Sequence, residues 1–294
     1  MDINCLWSKG INPRNSYMVA GTESIGSVDT IRRELCNPRQ CLWIRNTSKT
    51  AQVRTDLDIL ADIIDCITDP KILITTDGDR PVPSSYCEKT VRILLDSDKI
   101  LLWYTQNYDG TISHPKLKPF PIGLDLHSKR WMVNNSALAK LNYYDELRKR
   151  EQPYITDRIF CDAHLSITHP ERRSMFQTLK ANAHIDFLGS IQPFLEICSQ
   201  YRKYKFVLSP RGNGLDCHRT WELFLLGCIP IIKSSSLDIM WKTHGLPVVI
   251  ISDWAELNDN NIQAKLDQWN NDLNPYTEYD YIRNKMSYQY WIGS

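Results

Sequence analysis

Short apolar runs alternate with amphipathic stretches along most of this 294-residue chain. Leu57, Leu60, Ile64 and Ile67 recur at helical spacing over 55–67, and Asp69-Pro70 closes that pattern. A β-rich run over 71–76 opens onto Asp77-Gly78-Asp79-Arg80-Pro81. A second run, 99–105, leads into a loop of turn residues over 107–121. Residues 135–150 predict a helix with Leu138, Leu141 and Leu147 on its apolar side. At Glu151-Gln152-Pro153 a charged run meets a proline, and a domain boundary is expected there.

Beyond it a new series of alternating elements begins. Strands are expected over 158–165, 184–189, 206–208, 228–232 and 248–252. Helices are expected over 170–181, 191–201, 216–226 and 262–273, the last with Leu266 and Trp269 on one side. Such alternation belongs to parallel sheets, hence an α/β fold with two Rossmann-like halves, 1–150 and 151–275. The segment 276–294 carries Tyr276, Tyr279, Tyr281, Tyr288, Tyr290 and Trp291, too many aromatics to leave in water.

Composition narrows the partners. Hydrophobic content of 42% and charged content of 23% are those of an ordinary globular chain. A net charge of +1 gives no field that would recruit a nucleic acid or a bilayer surface. No apolar run reaches membrane-spanning length, and the first residues, MDINCLWSKGINPRN, lack signal-peptide architecture. A soluble cytoplasmic chain is expected. The nine cysteines agree: the count is odd, there is no Cys-x-x-Cys pair, and Cys66, Cys161, Cys198 and Cys228 sit in apolar patterns. The sequons at Asn46 and Asn134 are then expected to be fortuitous.

The densest chemistry lies in KFVLSPRGNGLDCHRTWELFLLGCIPIIK, residues 205–233. It reads as strand, glycine-bearing loop, helix and strand. Gly212 and Gly214 let backbone approach a ligand, and the helix start offers free N–H groups to an anion. Arg219 in the first turn can grip phosphate oxygens in pairs, and Glu222, three residues on, can accept from two adjacent hydroxyls of a ribose. Arg plus Glu beside such a loop points to a nucleoside diphosphate.

The string Ser209-Pro210-x-Gly212-Asn213-Gly214-x-Asp216-x-x-Arg219-x-x-Glu222, followed by Gly227-Cys228-Ile229-Pro230, closely resembles the donor-binding segment of exostosin-like glycosyltransferases (glycosyltransferase family 47-like). Small members of this kind occur in large algal viruses, and the chain resembles those. The resemblance is strong over about thirty residues and weaker elsewhere. It implies a GT-B fold, with two Rossmann-like domains facing a cleft, an N-terminal acceptor domain, a C-terminal nucleotide-sugar domain, and a final segment returning to the first. It implies inverting, metal-independent transfer from a UDP-sugar, UDP-xylose first, to a glycan hydroxyl, with no cofactor. By the same resemblance Arg219 holds the diphosphate and Glu222 the ribose. Ser209, Arg211, Gly212, Asn213, Gly214 and His218 join them as donor-binding candidates, with Arg172 and Arg173 at a second predicted helix start.

An inverting path needs a base for the acceptor hydroxyl. Asp79 is the first candidate and Asp77 the second, because their loop follows a strand of the first half; Asp109 and Asp125 are less favoured. Asp77-Gly78-Asp79 is also readable as a plain turn, or as a metal-holding Asp-x-Asp of the GT-A kind. The seven histidines show no close ligand spacing along the chain, so no metal ligands are assigned. A nucleotide-sugar-binding module without catalysis has the same sequence signature.

Overall fold

The computed structural model describes residues 5–7, 16–18, 28–36, 40–46, 54–127, 136–166 and 169–292. The chain forms two compact units. The smaller comprises 6–122 with 214–216, and the larger comprises 1–5, 123–213 and 217–294. The boundary expected at Glu151-Gln152-Pro153 lies inside the larger unit, and 276–294 belongs to that unit too. Asn134, one of the two sequons, lies outside the described residues.

The smaller unit carries β1 (Ser16–Met18), α1 (Val28–Leu35), β2 (Cys41–Arg45), α2 (Asp56–Asp62), β3 (Lys71–Thr76), α3 (Glu88–Asp96), β4 (Ile100–Thr105) and β5 (Leu117–Pro119). Its five strands are all parallel and lie in the order β1-β2-β3-β4-β5. Every residue of β3 is buried, so its apolar run is continuous rather than alternating, as a strand covered on both faces requires. Helix α2 starts at a capping box. The Thr55 hydroxyl accepts from the Asp58 amide at 3.2 Å, and the Asp58 carboxylate accepts from the Thr55 amide at 2.8 Å. Trp43 and Trp103 are buried, and their indole N–H groups donate to Thr76 and Thr75, so neither leaves an unpaired donor in the core.

The larger unit carries α4 (Ala137–Lys149), β6 (Ile155–Cys161), α5 (Pro170–Leu179), β7 (Ile185–Phe187), α6 (Phe194–Tyr201), β8 (Tyr204–Leu208), α7 (His218–Leu225), β9 (Ile229–Lys233), α8 (Asp238–Thr243), β10 (Val249–Ile251), α9 (Ile262–Leu273), α10 (Tyr279–Lys285) and α11 (Tyr288–Ile292). The sheet is again all parallel, in the order β7-β6-β8-β9-β10. The α/β class with parallel sheets expected from the sequence is the observed one. The chain enters at β6, steps outward to β7, then returns across β6 to β8. The strand order therefore reverses between β6 and β8, and at such a point the carboxyl ends of the strands leave a crevice.

Of the six aromatics in the C-terminal segment, Tyr288 and Trp291 are buried, while Tyr276 is exposed. Trp291 meets Trp221 of α7 edge-on at 6.3 Å between ring centroids, and its indole donates to the Lys285 carbonyl at 2.6 Å. The buried Lys205 ammonium donates to the Gly227 carbonyl, Asn274 and Thr277, which ties β8 to the chain after α9. No helix among the described residues is long and apolar enough to cross a membrane.

Candidate functional site

A cavity of about 380 Å³ lies beyond the carboxyl ends of β6 and β7, between α6 and the start of α7. Asp162, directly after β6, lines it together with Tyr201, Arg219 and Glu222. Leu188, Phe194 and Ile197 supply an apolar wall. The volume lies within the range of small-molecule sites.

Arg219 is the centre of this arrangement. Its Nε donates to the Tyr201 hydroxyl at 3.1 Å, and one terminal nitrogen donates to Asp162 Oδ2 at 3.3 Å. The other terminal nitrogen, Nη1, is buried without a partner among the described residues, as is Asp162 Oδ1. Burial opposes the charge on Arg219, but Asp162 and Tyr201 outweigh it and hold its pKa above the usual arginine value. Burial drives the Tyr201 hydroxyl well above the ordinary tyrosine range, with Asp162 adding to the effect, so Tyr201 is a neutral donor and acceptor. Glu222 is buried one turn along α7 and lines the same cavity.

Arg172 stands close by. It is buried, donates from Nε to the Arg211 carbonyl at 3.0 Å and reaches the Ser166 carbonyl at 3.4 Å. Burial lowers its pKa, and the positive charge of Arg219 lowers it further. Two buried guanidinium groups thus repel one another with Asp162 as the nearby counter-charge, an imbalance that an anionic ligand would relieve. Arg173, the next residue on α5, is exposed and is not brought to the cavity.

The glycine loop is built by its own contacts. Ser209 is buried and hydrogen-bonds Thr220 of α7 at 2.9 Å. The Gly212 amide donates to Cys217 Sγ at 3.0 Å, and Arg211 donates to the Asn213 carbonyl at 3.0 Å. In the smaller unit a Cβ on Gly214 would come to 2.9 Å of the Asn107 side chain. Asp216, expected inside the helix, instead precedes it. Its carboxylate accepts from the Ile122 amide at 2.8 Å, and its amide donates to Asn107 Oδ1 at 3.0 Å. The helix begins at His218, after Cys217, which makes no side-chain cap bond.

The Asp-x-Asp loop belongs to the smaller unit. Asp77 is left-handed, with φ of 62°, and Arg45 holds its carboxylate at 2.9 Å. The Gly78 carbonyl accepts from Gln106 at 3.1 Å and from Asn107 at 2.8 Å. Asp79 is the exposed member of the pair. Asp109 accepts from the Ser84 and Thr111 amides; burial alone would raise its pKa, but these bonds outweigh it and hold the carboxyl below its ordinary value. It is a weak base. Asn46, the second sequon, is fully buried, donates to the Arg80 carbonyl at 3.0 Å and accepts from Tyr86 at 2.6 Å. It is a scaffold residue of this loop.

Sequence reasoning missed Asp162 and Tyr201, which carry no motif of their own. A signal existed for Asp162, since the residue after the first strand of a parallel half faces the crevice. It also missed a grouping of Asp125, His127 and His218, whose ligand atoms all lie within 4.8 Å of one another. Spacing along the chain could not reveal it, because the fold brings His218 back beside the segment after Gly123.

No protein-family model matches the sequence, and no curated protein matches it. Among solved structures the chain is similar to an alpha-glucosyltransferase in complex with UDP-glucose and DNA containing an abasic site, at 10% identity and TM-score 0.41, over 90% of this chain and 80% of that one. It is similar to an alpha,alpha-trehalose-phosphate synthase (UDP-forming) from Burkholderia vietnamiensis, at 8% identity and TM-score 0.42, over 87% and 73%. It is also similar to WaaG, a glycosyltransferase involved in lipopolysaccharide biosynthesis, at 9% identity and TM-score 0.34, over 99% of both chains. At such identities and TM-scores the functional reading rests on this chain's own residues.

Proposed function

We propose that the chain is an inverting, metal-independent glycosyltransferase of the exostosin-like, GT-B kind. It moves a sugar from a UDP-sugar, UDP-xylose first, to a glycan hydroxyl. One observation carries the reading: a guanidinium held by Asp162 and Tyr201 lines a cavity beside Glu222, and one of its buried nitrogens has no partner among the described residues. A diphosphate satisfies that donor and offsets the repulsion between Arg172 and Arg219. Glu222, one turn on, is positioned to accept from a ribose, and the apolar wall suits the face of a base.

The chemistry follows from these groups. As the glycosidic bond to the diphosphate breaks, negative charge grows on the leaving oxygen. Arg219 and the uncapped start of α7 oppose that charge without having to reorganise. A cation on the diphosphate is then unnecessary. The acceptor hydroxyl attacks the anomeric carbon from the opposite side and gives its proton to a carboxylate, for which Asp79 is our first choice. Asp77 is second because its carboxylate is engaged by Arg45.

The reading is tested by thermal shift against a panel of UDP-xylose, UDP-galactose, UDP-glucuronic acid and UDP-N-acetylglucosamine. A donor present at a hundred times its Kd stabilises the fold by about 2.7 kcal/mol. UDP-xylose is expected to give the largest shift, and its hydrolysis or transfer is expected to persist in excess EDTA. No shift with any UDP-sugar would reject the donor site. Complete loss in EDTA, restored by manganese, would move the diphosphate to Asp77 and Asp79.

Asp79→Asn keeps the side-chain shape and removes its basicity. UDP affinity is expected to stay as in the wild type, while single-turnover transfer falls about 10²-fold or more. Transfer at wild-type rates in both Asp79→Asn and Asp77→Asn would leave the loop a structural turn. A product that retains the donor's anomeric configuration would remove the need for the base.

A further inference from the structure

Three polar side chains outside the cavity lining converge in the larger unit. Asp125 is buried, His218 is half-buried and His127 is exposed. Asp125 Oδ1 lies 3.3 Å from His127 Nδ1. The rings of His127 and His218 lie 5.8 Å apart between centroids. Each residue offers a ligand atom within 4.8 Å of the other two. We propose that these three residues form a binding site for one divalent transition-metal ion, zinc above all. This inference goes beyond the proposed transfer and does not depend on it.

The protonation pattern supports coordination. His218 Nδ1 lies 2.8 Å from the Gly123 carbonyl oxygen. A carbonyl can only accept, so Nδ1 carries the proton, and in the neutral ring the nitrogen that would meet a metal is Nε2. Fixing a histidine in this way is the usual second-sphere arrangement at zinc. Gly123 itself is left-handed, with φ of 66°, and so turns the chain immediately before Asp125. Lys140 donates to the Leu126 carbonyl at 3.0 Å and holds the backbone between Asp125 and His127. Two ligands of the site therefore come from a short, pinned segment, and the third from the first turn of α7.

The donor set selects the metal. Two imidazoles and one carboxylate suit zinc, which takes nitrogen at about 2.0–2.1 Å and leaves its fourth position open. Magnesium and calcium require oxygen-rich shells that this group does not offer. Tetrahedral ligands stand roughly 3.3 Å apart at those bond lengths, so modest side-chain rotation closes the group around an ion. The start of α7 disfavours a cation, but the carboxylate charge of Asp125 and three direct bonds outweigh a helix end. Zinc here would take the lone pair of His218, a donor-contact candidate, so occupancy would slow transfer rather than support it.

The test uses the full chain, stripped with EDTA and dialysed, then titrated with Zn²⁺ in a calorimeter. One equivalent is expected to bind. His127→Ala and His218→Gln should each weaken that binding at least tenfold, with Asp125→Asn weakening it less, while His184→Ala leaves it unchanged. Nine free cysteines could bind zinc on their own, so Co²⁺ is used as a second probe. The Co²⁺ adduct should lack a thiolate charge-transfer band. Zinc-edge absorption on the wild-type protein, with two imidazoles in the shell, holds the proposal to account even if a variant misfolds. Absence of binding, binding that survives both histidine substitutions, or a thiolate-dominated shell would overturn it.

Discussion

Arg219→Ala is expected to lower donor turnover about 10²-fold or more. The side chain is fixed before any donor arrives, because Tyr201 and Asp162 hold two of its three nitrogens. The remaining nitrogen is buried without a partner among the described residues, and in the proposed donor complex this guanidinium meets the diphosphate. A preorganised cation of this kind acts most strongly when charge reaches the leaving oxygen, so kcat should fall more than KM rises. Glu222→Ala should do the reverse and weaken nucleoside binding with a smaller effect on kcat. Removing Arg219 also leaves the Asp162 carboxylate without its cation, which by itself destabilises the fold. Arg219→Lys keeps the charge and loses the fork, and should recover folding but only part of the turnover. Folded Arg219→Ala protein with unchanged kinetics would sink the donor site. A thermal melt of each variant decides whether folding or chemistry has been measured.

Gly78→Ala should cost about 3 kcal/mol of stability, the upper part of what overpacking usually costs. A Cβ at position 78 would overlap the backbone carbonyl of Asn46, and backbone cannot swing aside as a side chain can. Asn46 is itself bound to the Thr76 carbonyl through its amide at 2.6 Å and to Tyr86 through its side chain. The methyl group must therefore displace the end of β2, or the Asp77–Asp79 loop must move. A midpoint shift of about 12 °C corresponds to that cost for a unit of this size. Transfer should fall with it if Asp79 is the base, while UDP affinity at a temperature where the protein is folded should remain. A Gly78→Ala melt indistinguishable from wild type would mean that the close approach of 78 to 46 is not present in solution.

Much of the larger unit was legible in the chain. The helix at 262–273 has the expected bounds, and 71–76 forms the expected strand in the smaller unit. Period-3.6 and continuous apolar patterns, bounded by Pro and Gly, are local signals that packing did not override. Elsewhere local signals were incomplete. The strand expected at 158–165 runs over Ile155–Cys161 and gives way to a short 3₁₀ turn; it starts early because Ile155 pairs with Tyr204 of β8 inside the sheet, ahead of a polar stretch and a register irregularity. Strand β2 and helix α3 were not anticipated. CLWIR is too short to separate from a buried helical turn by periodicity, and α3 begins with no side-chain cap.

The line between local pattern and tertiary decision runs through the candidate site. Arg219 and Glu222 share a helix, so their spacing alone placed both on neighbouring positions of one face, and the burial of the opposite side followed from Trp221, Phe224 and Leu225. Which groups would meet Arg219 could not be read that way. Asp162 and Tyr201 reach it because the sheet reverses its strand order between β6 and β8. Arg172 and Arg173 are equivalent in sequence, yet only the first faces inward, since α5 turns one residue toward the sheet and its neighbour to water. Asp125, His127 and His218 are brought together by the same folding. Local chemistry along the chain determined the class of the elements and the type of ligand worth considering. Long-range strand pairing decided which distant side chains share one volume, because no short-range periodicity encodes a contact between residues so far apart in the chain.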